Sequence, residues 1–200
     1  ITPTGKKTVD STQTYYELVA YPNRCYYPTA FALLSDNAWS KESNIIGNED
    51  KSFDGINMTF NENANRLTLS DNNLYENCYD YILRSNIVIS GIDNSTGSDS
   101  LKHLAKAEAK IMRAWDHFVL VNTFAQAYNP STAATDGGIA IMDKYDLEAT
   151  PSKSSVADVY TFILKDINES LPLLQVTPAT VYHPSKAFGY ALKALVCLFH

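Results

Sequence analysis

Apolar side chains recur at helical spacing along the middle of the chain, most clearly between residues 101 and 119. The recurrence at i, i+3, i+4 and i+7 marks one helix face, and its members are Leu101, Leu104, Ala105, Ile111, Met112, Trp115, Phe118 and Val119. The pattern predicts a long helix from about Ser100 to Ala125. Glu108 falls within this apolar face, where a carboxylate needs hydrogen-bond donors nearby. We therefore expect Glu108 to have a structural partner.

A second helix is predicted to precede the long one and to run antiparallel to it. Asp71 has the side chain of an N-cap, and Gly91 can end the helix in the left-handed conformation. A short polar turn, residues 93–99, joins the two helices, and short links make antiparallel neighbours. The two helices are thus expected to form a hairpin.

Another hairpin is predicted over residues 154–200. Ser154 or Ser155 can cap its first helix, with Asp158 as the acidic partner of a capping box, and Pro172 marks the end of that helix. Ser185 can cap the helix that follows. The side of that last helix expected to pack closely carries Ala187, Ala191, Ala194 and Leu198.

The first part of the chain is helical in composition but interrupted. Between Ser11 and Asp36, Pro22 and Pro28 prevent one continuous helix, because each removes a backbone donor and clashes with the preceding turn. Two shorter helices are predicted there, with Pro28 in the first turn of the second.

Taken together, the pattern predicts an all-α fold of stacked helical hairpins, similar to tetratricopeptide solenoids, with long irregular loops. A true sequence repeat is not visible, so this prediction depends on pattern and spacing. We expect residues 1–200 to form one helical domain and to be a piece of a longer chain.

Two segments lack helical periodicity. Residues 37–70 are rich in Asn, Ser, Asp and Gly, and residues 128–151 contain Gly137 and Gly138 before the short apolar run Ile139–Met142. Long irregular segments in a packed domain are uncommon and often functional. The first segment is therefore the leading candidate for a ligand surface.

Composition narrows the possible partners. The chain has 200 residues, 45% of them hydrophobic and 19% charged, which is typical of a globular protein with a real core. A net charge of -6 and the absence of Lys or Arg runs argue against nucleic acid as a partner. No apolar run approaches the roughly 18 residues of a membrane span.

Nothing in the sequence indicates catalysis, a metal or a cofactor. Cys25, Cys78 and Cys197 form no metal-binding pair, so we interpret them as buried core thiols. The four histidines lack the spacing of a zinc-binding motif, and no nucleophile elbow, P-loop or dinucleotide motif occurs. We therefore predict a binding protein, not an enzyme.

Five segments, in order, resemble the SusD/RagB family of Bacteroidetes outer-membrane glycan-binding lipoproteins. They are Leu33-Leu34-Ser35-Asp36, Tyr75 to Val88 with Tyr79, Ile82 and Asn86, Ala107-Glu108-Ala109 with Arg113-Ala114, Val156 to Pro172, and Ser185 to Leu198. They are similar to the family's Leu-Ser-Asp segment, its Tyr-x-x-Ile-x-x-x-Asn helix, its Gly-Glu-Ala and Leu-Arg-Ala elements, its Val-x-x-Val-Tyr run and its Ala-rich helix. Ala107 and Tyr75 depart from the usual Gly and Trp, which are packing changes.

The resemblance implies a lipid-anchored protein on the extracellular face of the outer membrane, presenting an oligosaccharide to a SusC-like TonB-dependent transporter. Contact with the membrane would be only through a lipid anchor that this chain does not contain. Two alternatives stay open, namely a tetratricopeptide-like scaffold for proteins without a sugar site, and capture of peptide in place of glycan. An α-helical glycosidase is a more remote alternative.

Glycan recognition uses aromatic faces for the sugar rings and amide or charged side chains for the hydroxyl groups. The ligand-binding candidates with these properties are Trp39, Asn57, Phe60, Asn61, Arg66 and, at the end of the long helix, Tyr128. Four residues are assigned structural roles. Asp36 lies in the first family segment, Glu108 is expected to bond to Asn86 or to a backbone group, and Arg113 is expected to bind carbonyls or an acid nearby.

Overall fold

Helices make up most of the residues that the structure describes. The computed structural model describes residues 9–20, 39–45, 47, 49–65, 69, 74–146, 148 and 150–200. Its elements are α1 (Thr12–Val19), α2 (Glu42–Ile45), α3 (Phe53–Thr59), α4 (Leu74–Gly91), a 3-10 turn (Ile92–Asn94), α5 (Asp99–Phe124), β1 (Gly137–Ala140), β2 (Lys153–Ser155), α6 (Val156–Ser170) and α7 (Lys186–Phe199). The chain divides into two compact units, residues 1–24 with 78–200 and residues 25–77.

The larger unit contains the first predicted hairpin. Near the turn, Lys106 of α5 forms an ion pair with Asp93, and further along Arg113 donates a hydrogen bond to Asn86 of α4. Contacts that move forward along one helix and backward along the other define an antiparallel pair. The prediction that the chain doubles back between these helices is confirmed.

The second hairpin packs against the first through α5 and α6. Lys110 of α5 pairs with Glu169 of α6, and Tyr160 near the start of α6 donates a 3.1 Å hydrogen bond to Asn122 near the end of α5. In α7, Lys193 donates a 2.8 Å hydrogen bond to Asn168 of α6. Two successive helical hairpins are therefore present, as the sequence predicts.

Helix α1 packs at the turn of the first hairpin. Ser11 caps it, and the Thr12 side chain forms a 2.8 Å hydrogen bond with Ser95 in the turn. The core cluster at this end contains Tyr16, Val19, Val88, Ile92, Leu104, Ala105 and Ala109. The prediction of a helix after Ser11 is confirmed, whereas the predicted second helix, after Pro28, lies outside the described residues.

Helix caps follow the sequence closely. Ser155 and Ser185 each accept a hydrogen bond from the backbone N–H three residues later. Asp158 also accepts a 2.7 Å hydrogen bond from the Ser155 hydroxyl, so the acidic partner is the expected one. Helix α5 begins and ends within one residue of its predicted bounds. The predicted cap at Asp71 lies outside the described residues.

A two-stranded antiparallel ribbon stands where only a loop was expected. β1 pairs with β2, with Gly137 opposite Ser155 and Ala140 opposite Lys153. The carbonyls of Asp136 and Ala133 also accept hydrogen bonds from the first backbone N–H groups of α6. The segment that leads into β1 thus satisfies backbone donors that the start of α6 leaves unpaired, and it does so through contacts between residues distant in the sequence.

The polar segment 37–70 also contains regular structure that the sequence did not predict, namely α2 and α3. Ser52 caps α3, accepting a 3.0 Å hydrogen bond from the Gly55 N–H. Phe60 ends α3 in the left-handed conformation, with φ of 50°. Caps at both ends therefore stabilise α3. Helices of four and seven residues are too short to show a hydrophobic period in the sequence.

Gly91 does not adopt the left-handed conformation expected of it. Its φ and ψ are -98° and -27°, and the chain continues directly into the 3-10 turn. A side chain at this position would overlap the Tyr15 ring and hydroxyl. Glycine here leaves room for the end of the Tyr15 side chain, so the predicted reason was wrong.

The packing face of α7 differs from the expected one. Ala187, Ala191, Ala194 and Leu198 are all exposed. The buried face is formed by Gly189, Leu192 and Val196. A Cβ at Gly189 would lie 2.8 Å from Leu171 and 3.0 Å from Leu174, so the missing side chain lets α7 approach the end of α6.

The cysteines differ in environment. Cys78 is buried, and burial raises the pKa of its thiol to about 12. Cys197 is exposed, which corrects the prediction for this residue, because it lies on the outer side of α7. Cys25 lies outside the described residues.

The ribbon offers a test of packing with an internal control. A Cβ at Gly138 would lie 2.9 Å from the Ser154 carbonyl oxygen, whereas a Cβ at Gly137 would have nothing within 4 Å. We expect Gly138→Ala to lower the free energy of unfolding by ~1–3 kcal/mol because backbone must shift. Gly137→Ala should change it by less than about 0.5 kcal/mol. Urea unfolding of the full-length variants measures both, and equal effects would contradict the structure.

Candidate functional site

A buried ion pair joins the two hairpins. Arg113 of α5 is 4% exposed and Asp166 of α6 is 1% exposed. Arg113 donates from Nε to Asp166 Oδ2 at 2.7 Å and from Nη2 to Oδ1 at 2.8 Å. This two-point geometry is the one in which a guanidinium binds a carboxylate most strongly.

The same guanidinium also holds an irregular segment, residues 141–146. Arg113 Nη1 donates to the Asp143 carbonyl and to Asn86 Oδ1, both at 2.7 Å. Asn86 Nδ2 in turn donates to the carbonyls of Met142 and Lys144, at 3.0 and 3.1 Å. Three successive carbonyls are therefore bound by two side chains of the first hairpin. In the sequence, Arg113 was expected near carbonyls or an acid, and it contacts both.

Burial and pairing act against each other on Asp166. Loss of solvent raises the pKa of its carboxyl group, while the hydrogen bonds from Arg113 act to lower it. On another side of the guanidinium, the ring of Phe162 lies 4.9 Å from Arg113 Cζ, which adds a cation–π contact. Burial is the larger of these effects, so the pKa of Asp166 stays above its ordinary value and the pairing offsets the desolvation only in part.

Glu108 is fully buried and pairs with a residue that the sequence did not indicate. Its Oε2 lies 2.5 Å from Nδ1 of His183, in the connection between α6 and α7. The ring of Tyr16 stacks on His183 with centroids 4.0 Å apart. Burial, together with the charge of Glu108, raises the pKa of Tyr16 to about 12. A single histidine in a proline-containing connection carries no sequence signal for such a role.

His117 is buried with both ring nitrogens engaged. Nδ1 lies 2.8 Å from the Arg113 carbonyl, and Nε2 accepts a 3.3 Å hydrogen bond from the Met142 N–H. Since a backbone N–H can only donate, the ring is neutral with its proton on Nδ1. Burial lowers the pKa of His117 to about 4, although the hydrogen bond to Arg113 acts in the opposite direction.

The aromatic candidates of the smaller unit present their rings to solvent. Trp39 is 82% exposed and Phe60 is 67% exposed. Phe60 also has positive φ, a conformation that costs a residue with a side chain about 1–2 kcal/mol. A bulky residue held in this region is uncommon and directs attention to function.

The amide candidates lie beside Phe60 in the sequence and are half-buried. Asn57 belongs to α3. Asn61 accepts a 3.1 Å hydrogen bond from the Asn63 N–H and donates a longer one, 3.5 Å, to the Glu49 carbonyl. Arg66 and Asp36 lie outside the described residues.

Tyr128 belongs to the larger unit and is part of an aromatic cluster. Its ring centroid lies 5.2 Å from that of Tyr160 and 4.3 Å from that of His200. Packing on two sides leaves the Tyr128 ring less surface for a sugar than the rings of Trp39 and Phe60 have.

The described residues bring together no group of three His, Cys, Asp or Glu side chains suited to a metal ion. Among the same residues, no helix has both the length and the apolar character to cross a membrane. In the smaller unit, the described residues offer two exposed aromatic rings, Trp39 and Phe60, and two half-buried amides, Asn57 and Asn61.

Stacked antiparallel hairpins with irregular connections define a tetratricopeptide-like helical protein. A SusD-like family model, described as starch-binding associating with outer membrane, matches residues 9–198. The chain belongs to this SusD-like family. A comparison with curated proteins found no match.

Solved structures of SusD-like proteins share the fold. A SusD superfamily protein from Bacteroides vulgatus has a TM-score of 0.69 at 21% identity, over 94% of this chain and 41% of that one. One from Bacteroides thetaiotaomicron has a TM-score of 0.56 at 25% identity, over 62% and 28%. A laminarin-binding SusD-like protein has a TM-score of 0.54 at 22% identity, over 64% and 26%. The chain thus spans less than half the length of these structures.

The buried neutral histidine predicts acid sensitivity. Unfolded histidine has a pKa of about 6.5, so on acidification the unfolded chain takes up this proton before the folded one does. The contribution of His117 to the free energy of unfolding is fully present above pH 6.5. It decreases by about 3 kcal/mol as the pH falls to 4. His117→Gln should flatten this part of the stability curve of the full-length protein, measured by urea unfolding at each pH.

A control lies on the same helix. His103 is exposed on α5, so His103→Gln makes the same substitution outside the core and serves as the control. If His117→Gln and wild type lost stability in parallel between pH 6.5 and 4, the buried neutral state of His117 would be wrong.

Proposed function

We propose that the protein binds oligosaccharide at the cell surface without altering it and delivers it to a SusC-like TonB-dependent transporter. The observation that carries this proposal is the match of residues 9–198 to a family described as starch-binding and associating with the outer membrane. The laminarin-binding protein of the same fold supports glycan as the class of ligand.

The exposed rings support the same ligand class. Sugar rings have apolar faces that stack on aromatic side chains, and Trp39 and Phe60 expose most of their surface to solvent. The amides of Asn57 and Asn61 lie near Phe60 in the chain and can bond to hydroxyl groups. Arg66 stays a ligand-binding candidate through its place in the sequence.

The location and partner form a further part of the proposal. The association of the family with the outer membrane supports a place on the extracellular face. We propose attachment through a lipid anchor and docking on the transporter. Purification of the tagged full-length protein from detergent-solubilised outer membranes, followed by mass spectrometry, tests for a bound barrel. Recovery of the protein without any transporter would overturn the delivery step and leave the binding step intact.

A glycan array and Trp39→Ala together test the binding step. We expect the full-length protein to bind at least one oligosaccharide without releasing new reducing ends. Trp39→Ala should weaken that binding by about tenfold, or ~1.4 kcal/mol, because an exposed anchoring ring is lost. Isothermal titration calorimetry measures the affinity, and a reducing-sugar assay detects turnover.

Tyr190→Ala is the matched control, since Tyr190 is an exposed aromatic residue on α7 and is not a site candidate. It should bind as the wild type does. Binding of peptides in place of all glycans, or release of reducing ends, would overturn the proposed function.

A substitution of Phe60 tests its role in ligand binding separately from its effect on stability. Phe60→Gly removes the penalty of the left-handed conformation, so we expect the free energy of unfolding to rise by about 1 kcal/mol. Loss of the exposed ring should weaken glycan binding at the same time. Urea unfolding and calorimetry on the full-length variant measure the two effects. A variant that is less stable and binds unchanged would contradict both expectations.

A further inference from the structure

The segment 141–146, which follows β1, faces the core with its backbone. Around it, Tyr79 donates a 3.0 Å hydrogen bond to the Ala140 carbonyl. The carbonyls of residues 142, 143 and 144 accept from Arg113 or Asn86, and the Met142 N–H donates to His117. An irregular segment thus has its backbone bound at successive positions, with the bonds directed inward.

The anchor of this segment is costly. Burying the charges of Arg113 and Asp166 loses hydration, and a buried pair of this kind often adds little net stability compared with apolar residues. The pair does fix the positions of the groups around it. The donors of the guanidinium have a fixed geometry, and they bind Asp166, Asn86 and the Asp143 carbonyl at the same time. The cluster therefore holds one conformation of the segment.

Three consecutive side chains of the segment point outward, whereas those of Ile141, Met142 and Asp146 are partly buried. Asp143, Lys144 and Tyr145 are exposed, and Tyr145 has 45% of its surface in solvent. Asp146 accepts a 3.1 Å hydrogen bond from the Glu148 N–H and lies 3.6 Å from Lys144 Nζ. An aromatic ring thus stands beside carboxylate and ammonium groups on a fixed backbone.

We infer that the outward side of residues 143–146 is a glycan contact site, in which Tyr145 stacks on a sugar ring and Asp143 and Lys144 bond to hydroxyl groups. The inference rests on the proposed function and adds a second binding element to the Trp39 and Phe60 candidates. Two acids and one lysine give no basic patch, which disfavours an anionic polymer. A backbone already fixed before binding loses little conformational entropy when the ligand arrives.

The test uses the full-length protein and an oligosaccharide selected by the glycan array. Tyr145→Ala should weaken binding at least fivefold in calorimetry, with an unchanged circular dichroism spectrum because the ring is at the surface. Tyr145→Phe should bind within about twofold of wild type, since the ring face is kept. Tyr190→Ala, on α7, again serves as the exposed-aromatic control and should not change the affinity.

The outcomes distinguish this inference from the proposed function. If wild type and Trp39→Ala differ in glycan affinity while Tyr145→Ala equals wild type, the site at residues 143–146 is wrong and the proposed function stands. If wild type binds no oligosaccharide on the array, both are overturned. If Tyr145→Ala loses affinity and Tyr145→Phe keeps it, the site is supported.

Discussion

The fold of the larger unit depends on one buried guanidinium. Arg113 links α5 to α6 through Asp166, to α4 through Asn86, and to the segment after β1 through the Asp143 carbonyl. A lysine could not do the same, because its ammonium is a point charge without the planar set of donors. The burial of apolar side chains brings the hairpins together. The free energy gained in this way is proportional to the buried area and has no direction, so it does not select one arrangement. The ion pair and its hydrogen bonds then select one arrangement among those that packing permits.

Stacked hairpins leave their connections free to carry function. The interior of each helix satisfies its own backbone, whereas helix ends and irregular connections need side chains or other backbone groups to do so. Two connections of the larger unit meet this need in different ways. Arg113 and Asn86 donate hydrogen bonds to the carbonyls of residues 142–144, whereas in the turn the Thr12 N–H donates to the Thr96 carbonyl and the Ser95 hydroxyl to the Ile92 carbonyl. In the smaller unit, Ser52 and the left-handed Phe60 close α3 locally. Such local closure places the exposed ring of Phe60 on backbone that is already organised.

Long amphipathic helices and their caps were predictable because the signals are local. A 26-residue helix repeats its hydrophobic period many times, so the predicted bounds of α5 are within one residue of the observed ones. Ser155 and Ser185 each cap a helix through a hydrogen bond from the backbone N–H three residues later. Short elements were missed: α2, α3 and the two strands are too brief to show a period. Apolar content also misled the prediction for α7, in which the alanines are exposed and Gly189 with Leu192 and Val196 makes the contact. A helix that is apolar nearly all round does not reveal which side its neighbour will cover.

By itself, the sequence determined the helical hairpins, their order and the family they resemble, since period, caps and motifs are properties of neighbouring residues. It also required that Glu108 and Arg113 have partners, because buried charge without partners is too costly. Only the tertiary structure decided who those partners are. His183 lies 75 residues from Glu108 and Asp166 lies 53 residues from Arg113, so neither pairing is written in local pattern. The pairs form where packing of whole helices brings distant side chains within hydrogen-bond distance.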